Sequence, residues 1–178
     1  SAPLPLGMLK LGRAQAGVSV NDIMLTGISS AISRHMIMEG VDPPEKVMCV
    51  IPIDVSNNNN PGTLSNAISL VTCPLPTGQM SLLSRLQTIH RRLMKVKTSP
   101  DIQVNYLSLD LMCNLLPGPL ARFLLGTHGV TMTVSNMPGP QEQIRLFGHD
   151  VDDFMFWIPN KSRTGVGISI LSYRSWVR

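Results

Sequence analysis

Polar side chains with potential for chemistry follow one predicted strand. The stretch 130–140 reads VTMTVSNMPGP, and its alternating β-branched and apolar residues predict a half-buried strand. Because proline cannot donate to a sheet ladder and glycine can adopt a positive φ, we expect this strand to stop where Ser135 and Asn136 appear. Polar side chains at the mouth of a sheet suit a binding or catalytic cleft, and a purely structural turn is the alternative. The expected turn residues are Pro138, Gly139 and Pro140.

A second polar pair, Asn21 and Asp22, lies at the predicted start of a long helix. Ser19 is a good helix cap, and Asp22 three residues later completes a variant of the capping box. The negative charge of Asp22 also suits the positive end of a helix. Apolar and small residues then recur at helical spacing, which predicts a helix over residues 20–38 that stops at Gly40.

The four histidines, His35, His90, His128 and His149, are scattered along the chain. None has the spacing of a metal-ligand set with Cys, Asp or Glu, and the nucleophile-elbow, P-loop and dinucleotide-binding patterns are absent. His90 lies on a basic helix and is expected at the surface. His128 is the only histidine near a plausible site, because it lies two residues before the 130–140 stretch begins. The sequence therefore predicts no metal site and no catalytic residue in this chain.

Composition predicts one domain with part of its surface covered. The chain has 178 residues, of which 43% are hydrophobic and only 15% charged, against about 25% charged in typical soluble domains. Another domain, a partner or a membrane is expected to cover the apolar surface, to which eleven Met residues contribute unless they fill the core. The net charge of +4 mildly favours anionic partners and is too weak to indicate nucleic acid.

Cys49, Cys73 and Cys113 are odd in number and lie in apolar contexts, so they are expected to be buried free thiols in a reducing compartment. No apolar run approaches the roughly 18 residues that span a bilayer. Residues 1–17 are rich in Pro and Gly and are expected to be a linker from a missing N-terminal half, with a short helical turn over 9–16. The domain itself is expected over residues 18–178.

The pattern of elements predicts a mixed sheet with helices packed on one side, an α/β (α+β) fold. The helix over 81–97 has an apolar stripe and many basic residues. Its basic face is expected to be solvated, and contact with acidic lipid or a phosphorylated cofactor is the alternative. The remaining predicted helices cover 101–116 and 120–125, and the remaining predicted strands cover 47–55, 66–73, 144–148, 154–158 and 165–173, with Pro74 and Pro76 ending the second of these.

Four segments of the chain resemble the C-terminal domain of the bacterial and plant wax ester synthase/diacylglycerol acyltransferase family. They are LGRAQAGVSVNDIMLTGISSAI (11–32), VMCVIPIDV with LSNAISLVTCPLPT (47–77), TVSNMPGPQE (133–142) and GVGISILSYRS (165–175). Two departures are Met137, where the family often has Val, and the apparent lack of the family's last strand.

The resemblance implies one half of a chloramphenicol-acetyltransferase-like fold, in which two halves enclose a substrate tunnel. The family's catalytic base is the second His of a His-His-x-x-x-Asp-Gly motif, which is absent here, so the N-terminal catalytic half of the same protein is the implied partner. That His would deprotonate a long-chain alcohol or diacylglycerol, which attacks the thioester of acyl-CoA. Acyl-CoA is then a substrate and no cofactor is implied. An intracellular enzyme, peripheral on the endoplasmic reticulum or plasma membrane, is expected.

By the same resemblance, Asn21 and Asp22 brace the active-site region or the interface between halves, unless they only cap the helix. Ser135 and Asn136 support the substrate channel or donate to the developing oxyanion, unless they belong to a structural turn. Two other functions stay open. One is a non-catalytic lipid- or membrane-binding module that keeps the fold, and the other is a carrier-protein-dependent condensation domain.

Overall fold

A computed structural model of the chain describes residues 3–55, 68–99, 130–158 and 165–178, together with positions 102, 104, 107, 108, 111, 114–117 and 120. Its continuous elements are β1 (Leu4–Pro5), α1 (Leu6–Ala16), α2 (Val20–Met38), β2 (Lys46–Asp54), β3 (Ile68–Pro76), α3 (Leu82–Thr98), β4 (Met132–Pro138), β5 (Arg145–Leu146), β6 (His149–Asp150), β7 (Val166–Tyr173) and β8 (Trp176–Val177).

A six-stranded mixed sheet in the order β1-β8-β7-β4-β2-β3 forms the frame of the fold. β4 lies in the middle and runs parallel to both β2 and β7. The outer pairings are antiparallel, and the small β5–β6 hairpin stands apart. The predicted mixed sheet is therefore confirmed.

The core lies between this sheet and the helices α2 and α3. Leu25 of α2 and Ile89 of α3 are fully buried and pack with Met132 and Val134 of β4. Side chains alternate across a strand, so Met132 and Val134 mark the face of β4 that the helices cover. The prediction that helices pack on one side is confirmed for the described elements.

Helix boundaries follow the local signals. Ser19 and Asp22 form the predicted capping box, and α2 ends at Met38 before Gly40, which has a φ of 73°. α3 begins after Ser81, whose side chain accepts a hydrogen bond from the backbone N–H of Ser84. The helices predicted over 101–116 and 120–125 lie mostly outside the described residues, although the described positions between 102 and 115 are helical.

β3 differs from its prediction at Pro74, because it runs through this proline and ends only at Pro76. β3 is the last strand of the described sheet, and an edge strand tolerates proline where the missing N–H points away from its neighbour. Pro52 lies in β2 beyond the two residues that pair with β4, so β2 pairs there with β3 alone among the described strands.

The apolar stretch 154–158 is not a strand, so that prediction is wrong. It packs by side chains instead. The ring of Phe154 meets that of Tyr173 edge to face with centroids 5.0 Å apart, and the N–H of Ile158 donates to Ser169 Oγ at 3.3 Å. The Tyr173 hydroxyl also donates to the carbonyl of Val151 at 2.6 Å, so this segment covers part of the sheet face opposite the helices.

The two ends of the chain meet at the sheet. Leu4 and Pro5 pair with Val177 and Trp176, and α1 follows directly, so these elements occupy most of the stretch predicted as a linker. A turn at Arg174, which has a φ of 55°, separates β7 from β8.

Cys49 and Cys73 are buried free thiols, as predicted, and lie directly opposite each other on β2 and β3. Cys113 lies outside the described residues. Within the described part of the chain, none of the helices has the length and hydropathy needed to cross a membrane.

Candidate functional site

Asn21 and Asn136, two of the predicted site residues, are brought together across 115 residues of chain. Asn21 is the second residue of α2 and Asn136 the fifth of β4. The Nδ2 of Asn136 donates to the Oδ1 of Asn21 at 3.4 Å. Asn136 is exposed and Asn21 half-buried, so this amide pair lies at the accessible margin of the helix-covered sheet face.

Ser135 does not lie at a strand end, which corrects the sequence-based expectation. β4 continues to Pro138, so Ser135 and Asn136 are consecutive strand residues that project to opposite faces. Ser135 is 7% exposed and aligns with Ser169 of β7. β4 persists because β7 supplies a parallel partner along its whole length, including Pro138.

Gly139 is not required for the turn at positive φ that the sequence predicted, because its φ is not positive. A Cβ atom at this position would lie 2.1 Å from the carbonyl oxygen of Ser172 on β7, closer than any real contact. The N–H of Gly139 donates to Ser172 Oγ at 3.1 Å. Gly139 therefore allows close approach of two backbones, and the chain leaves β4 there, between Pro138 and Pro140.

Asp22 holds the start of α2 against α3. Its Oδ2 accepts the N–H of Ser19 at 2.7 Å and lies 2.9 Å from the Nδ1 of His90. Asp22 is only 2% exposed, and its Oδ1 is buried without a hydrogen-bond partner among the described groups. A carboxylate only accepts hydrogen bonds, so the proton of this contact belongs to His90 Nδ1.

His90 was expected at the surface, but its side chain is 33% exposed and tied to Asp22. Asp22 and His90 are 68 residues apart, and no local pattern in the sequence connects them. His128, the other histidine of interest, lies outside the described residues.

His90 also lines an open cavity of about 480 Å³, together with Leu83, Leu86, Gln87 and Arg91. A histidine whose Nδ1–H donates to a carboxylate presents Nε2 as a hydrogen-bond acceptor in its neutral form and as a donor in its protonated form. The described lining of this cavity contains no Ser, Thr or Cys, so it offers an oriented imidazole without a neighbouring nucleophile. No cluster of metal-binding side chains occurs within the described ranges.

Comparison with known proteins identifies the family. The WS/DGAT C-terminal domain matches residues 64–178, more than half of the chain. The chain belongs to this family. It is 24% identical over 144 residues to the O-acyltransferase WSD of Acinetobacter baylyi, a match that covers 76% of this chain and 30% of the relative. The chain spans about a third of the length of the curated relatives that it matches.

Two solved structures show the fold. The wax ester synthase/diacylglycerol acyltransferase from Marinobacter aquaeolei VT8 matches with a TM-score of 0.64 and 18% identity, over 99% of this chain and 40% of that one. The first condensation domain of the CDA synthetase matches with a TM-score of 0.55 and 13% identity, over 99% of this chain and 37% of that one. The predicted chloramphenicol-acetyltransferase-like architecture is confirmed.

Proposed function

We propose that this chain is the C-terminal part of an acyl-CoA-dependent O-acyltransferase that esterifies a long-chain alcohol or diacylglycerol. Its proposed role is one wall of the substrate tunnel, with the catalytic base on the N-terminal half of the same protein. Membership of the family supports the reaction class. Acyl-CoA enters as a substrate, and the proposal requires no separate cofactor.

The observation that carries this proposal is the contact between Asn21 and Asn136. Asn136 is exposed, and its amide has two N–H groups, only one of which is directed to Asn21. The second N–H is a preoriented donor for an oxygen of the substrate or the oxyanion. Asn21 fixes the orientation of that donor, while Asp22 anchors the same helix end to His90. Asn21 and Asp22 are therefore proposed to brace the site.

Ser135 has a different proposed role from that of Asn136. Because it projects from β4 to the face opposite Asn136, one substrate oxygen cannot contact both side chains from the same side of the sheet. We therefore assign the donor role to Asn136 and keep Ser135 as a support for the channel on the other face.

The test is the substitution Asn136→Ala in the full-length enzyme that contains this chain. Loss of a preoriented donor is expected to lower kcat by roughly 10- to 100-fold with little change in KM, measured as ester formation from acyl-CoA with hexadecanol or diacylglycerol. Gln141→Ala is the matched control, because it also removes an exposed amide whose hydrogen bond goes only to the Gly139 carbonyl. Equal kcat values for both variants would contradict the assigned role.

We also propose that the full-length protein is intracellular and binds peripherally to the endoplasmic reticulum or plasma membrane. Support comes from the low charge content and from large apolar side chains that are exposed on the chain, such as Met8, Leu11 and Met38.

A further inference from the structure

A buried arginine without a carboxylate partner lies between α2, the end of β3 and α3. Arg85 is 4% exposed. Its Nη1 donates to the carbonyl and hydroxyl oxygens of Ser29 at 3.3 and 3.0 Å and to the carbonyl of Pro76, while Nη2 donates to the carbonyl of Gly78 at 2.9 Å. No carboxylate of the described residues lies within 4 Å of this guanidinium.

The positive charge of Arg85 is therefore solvated by neutral oxygens and is not compensated. Buried charges in proteins are normally paired, because burial without a counter-charge is costly. Burial accordingly lowers the pKa of Arg85 below its ordinary value. A bound anion near this side chain would therefore be stabilised by the positive charge of Arg85, which no carboxylate of the described residues neutralises.

Arg85 lies in the wall of an open cavity of about 630 Å³, which we call the Arg85 groove. Its other polar side chains are Ser30, Ser33, Arg34 and Gln79, and its described lining has no acidic residue. Ser30 Oγ is buried without a hydrogen-bond partner, and Ser33 is 5% exposed. The groove therefore combines two cations with hydroxyl groups that can donate to an anion.

The rim of the Arg85 groove is apolar. Ile37 and Met38 from the end of α2 are 50% and 73% exposed, and Met80 and Leu82 before and in α3 are 42% and 65% exposed. The volume lies within the ~300–1,000 Å³ usual for small-molecule sites, and methionine adapts readily to flexible apolar chains. Apolar surface beside an uncompensated cation matches a ligand with a charged head and an apolar tail.

We propose that the Arg85 groove binds a single-chain anionic amphiphile, with its carboxylate or phosphate head at Arg85 and Arg34 and its chain along the rim. This site lies beyond the proposed ester-forming function. Ser30 follows Asn21 by about 14 Å along α2, so the groove and the Asn21–Asn136 contact occupy different parts of that helix.

Calorimetric titration of the full-length protein that contains this chain tests the proposal. The three probes are decanoate below its critical micelle concentration, decanol and inorganic phosphate. We expect saturable decanoate binding with one site per chain. Decanol lacks the charge and phosphate lacks the tail, so each is expected to bind at least about tenfold more weakly. Equal affinity for decanol, or binding only to vesicles of anionic phospholipid, would overturn the proposal.

Two substitutions locate the site. Ser33→Asp places a carboxylate in the groove as an internal substitute for the ligand head and is expected to abolish decanoate binding. Arg34→Glu, at an exposed position, is expected to weaken binding by about three- to tenfold. Arg91→Glu is the matched control, because it makes the same charge reversal at an exposed residue in the other cavity.

Circular dichroism and thermal melting establish that each variant stays folded. Unchanged decanoate affinity in Arg34→Glu, or the same loss in Arg91→Glu, would overturn the assignment to this groove. Because the readout is binding and not ester formation, its failure leaves the proposed acyltransferase function untouched, and the reverse also holds.

Discussion

Two adjacent residues at the start of α2 connect this helix to different parts of the molecule. Asn21 contacts Asn136 of the sheet, and Asp22 contacts His90 of α3. Successive helical residues point about 100° apart, so the first turn of α2 can contact the sheet through one residue and α3 through the next. The capping box was predictable because its residues are three apart, whereas the partner of Asp22 was not, because tertiary packing alone brings His90 to it.

Gly139 was identified from the sequence for the wrong physical reason, and this leads to a prediction. The substitution Gly139→Ala is expected to destabilise the fold by about 3 kcal/mol, because the added methyl group would collide with the carbonyl of Ser172 and force β4 and β7 apart. The free energy of unfolding in urea measures the effect.

Gly12→Ala provides the comparison for this substitution. Gly12 lies within α1, and a Cβ there would meet the Cδ1 of Ile23 at an ordinary 3.5 Å. Alanine is favoured over glycine in a helix, so this variant is expected to be neutral or stabilising by about 0.5–1 kcal/mol. If Gly139→Ala proved equally neutral, the close approach of the two strands would not be what requires glycine.

At the scale of elements, periodicity predicted α2 and α3 well because each presents one apolar face to the sheet. The strand predicted over the apolar run 154–158 is wrong, because this run packs against Tyr173 without pairing with another strand. Pro74 was also misread as a strand terminator in β3, which continues to Pro76. Its effect depends on whether the missing N–H faces a partner strand, which the local sequence does not reveal.

The paired strands β2 and β3 carry a prediction about pH. Burial, and then the neighbouring Cys73, raise the pKa of the Cys49 thiol from 9.0 to about 12. The folded state thus holds this proton more tightly than the unfolded chain. The resulting stability is complete below pH 9 and is lost as the pH rises from about 9 towards 12.

The free energy of unfolding is therefore expected to fall more steeply above pH 9 in the wild type than in Cys49→Ala, by on the order of 2–3 kcal/mol at pH 11. Urea titrations at fixed pH values measure this difference. Thr72→Ala, on the exposed face of β3, keeps both thiols and should retain the steep dependence. Parallel pH curves for the wild type and Cys49→Ala would contradict the prediction.

At the scale of the whole molecule, low charge and exposed apolar side chains are consistent with a surface that another domain, a partner or a membrane covers. For the proposed peripheral membrane binding, liposome flotation of the full-length protein should recover it with vesicles at physiological salt. The replacement of two exposed apolar residues, Met8 and Leu11, by Ser should weaken the recovery if α1 contributes to binding. Absence of flotation in the wild type would count against a peripheral membrane enzyme.

The edge strand β3 has a consequence for how copies of this chain meet. Pro74 and Pro76 have no N–H to offer a strand from another molecule, and their carbonyls already accept hydrogen bonds from Arg92 and Arg85 of α3. This part of the edge therefore presents neither free donors nor free acceptors. In a chain with so few charges to keep copies apart, a closed edge protects against intermolecular strand addition, the first step of β-aggregation.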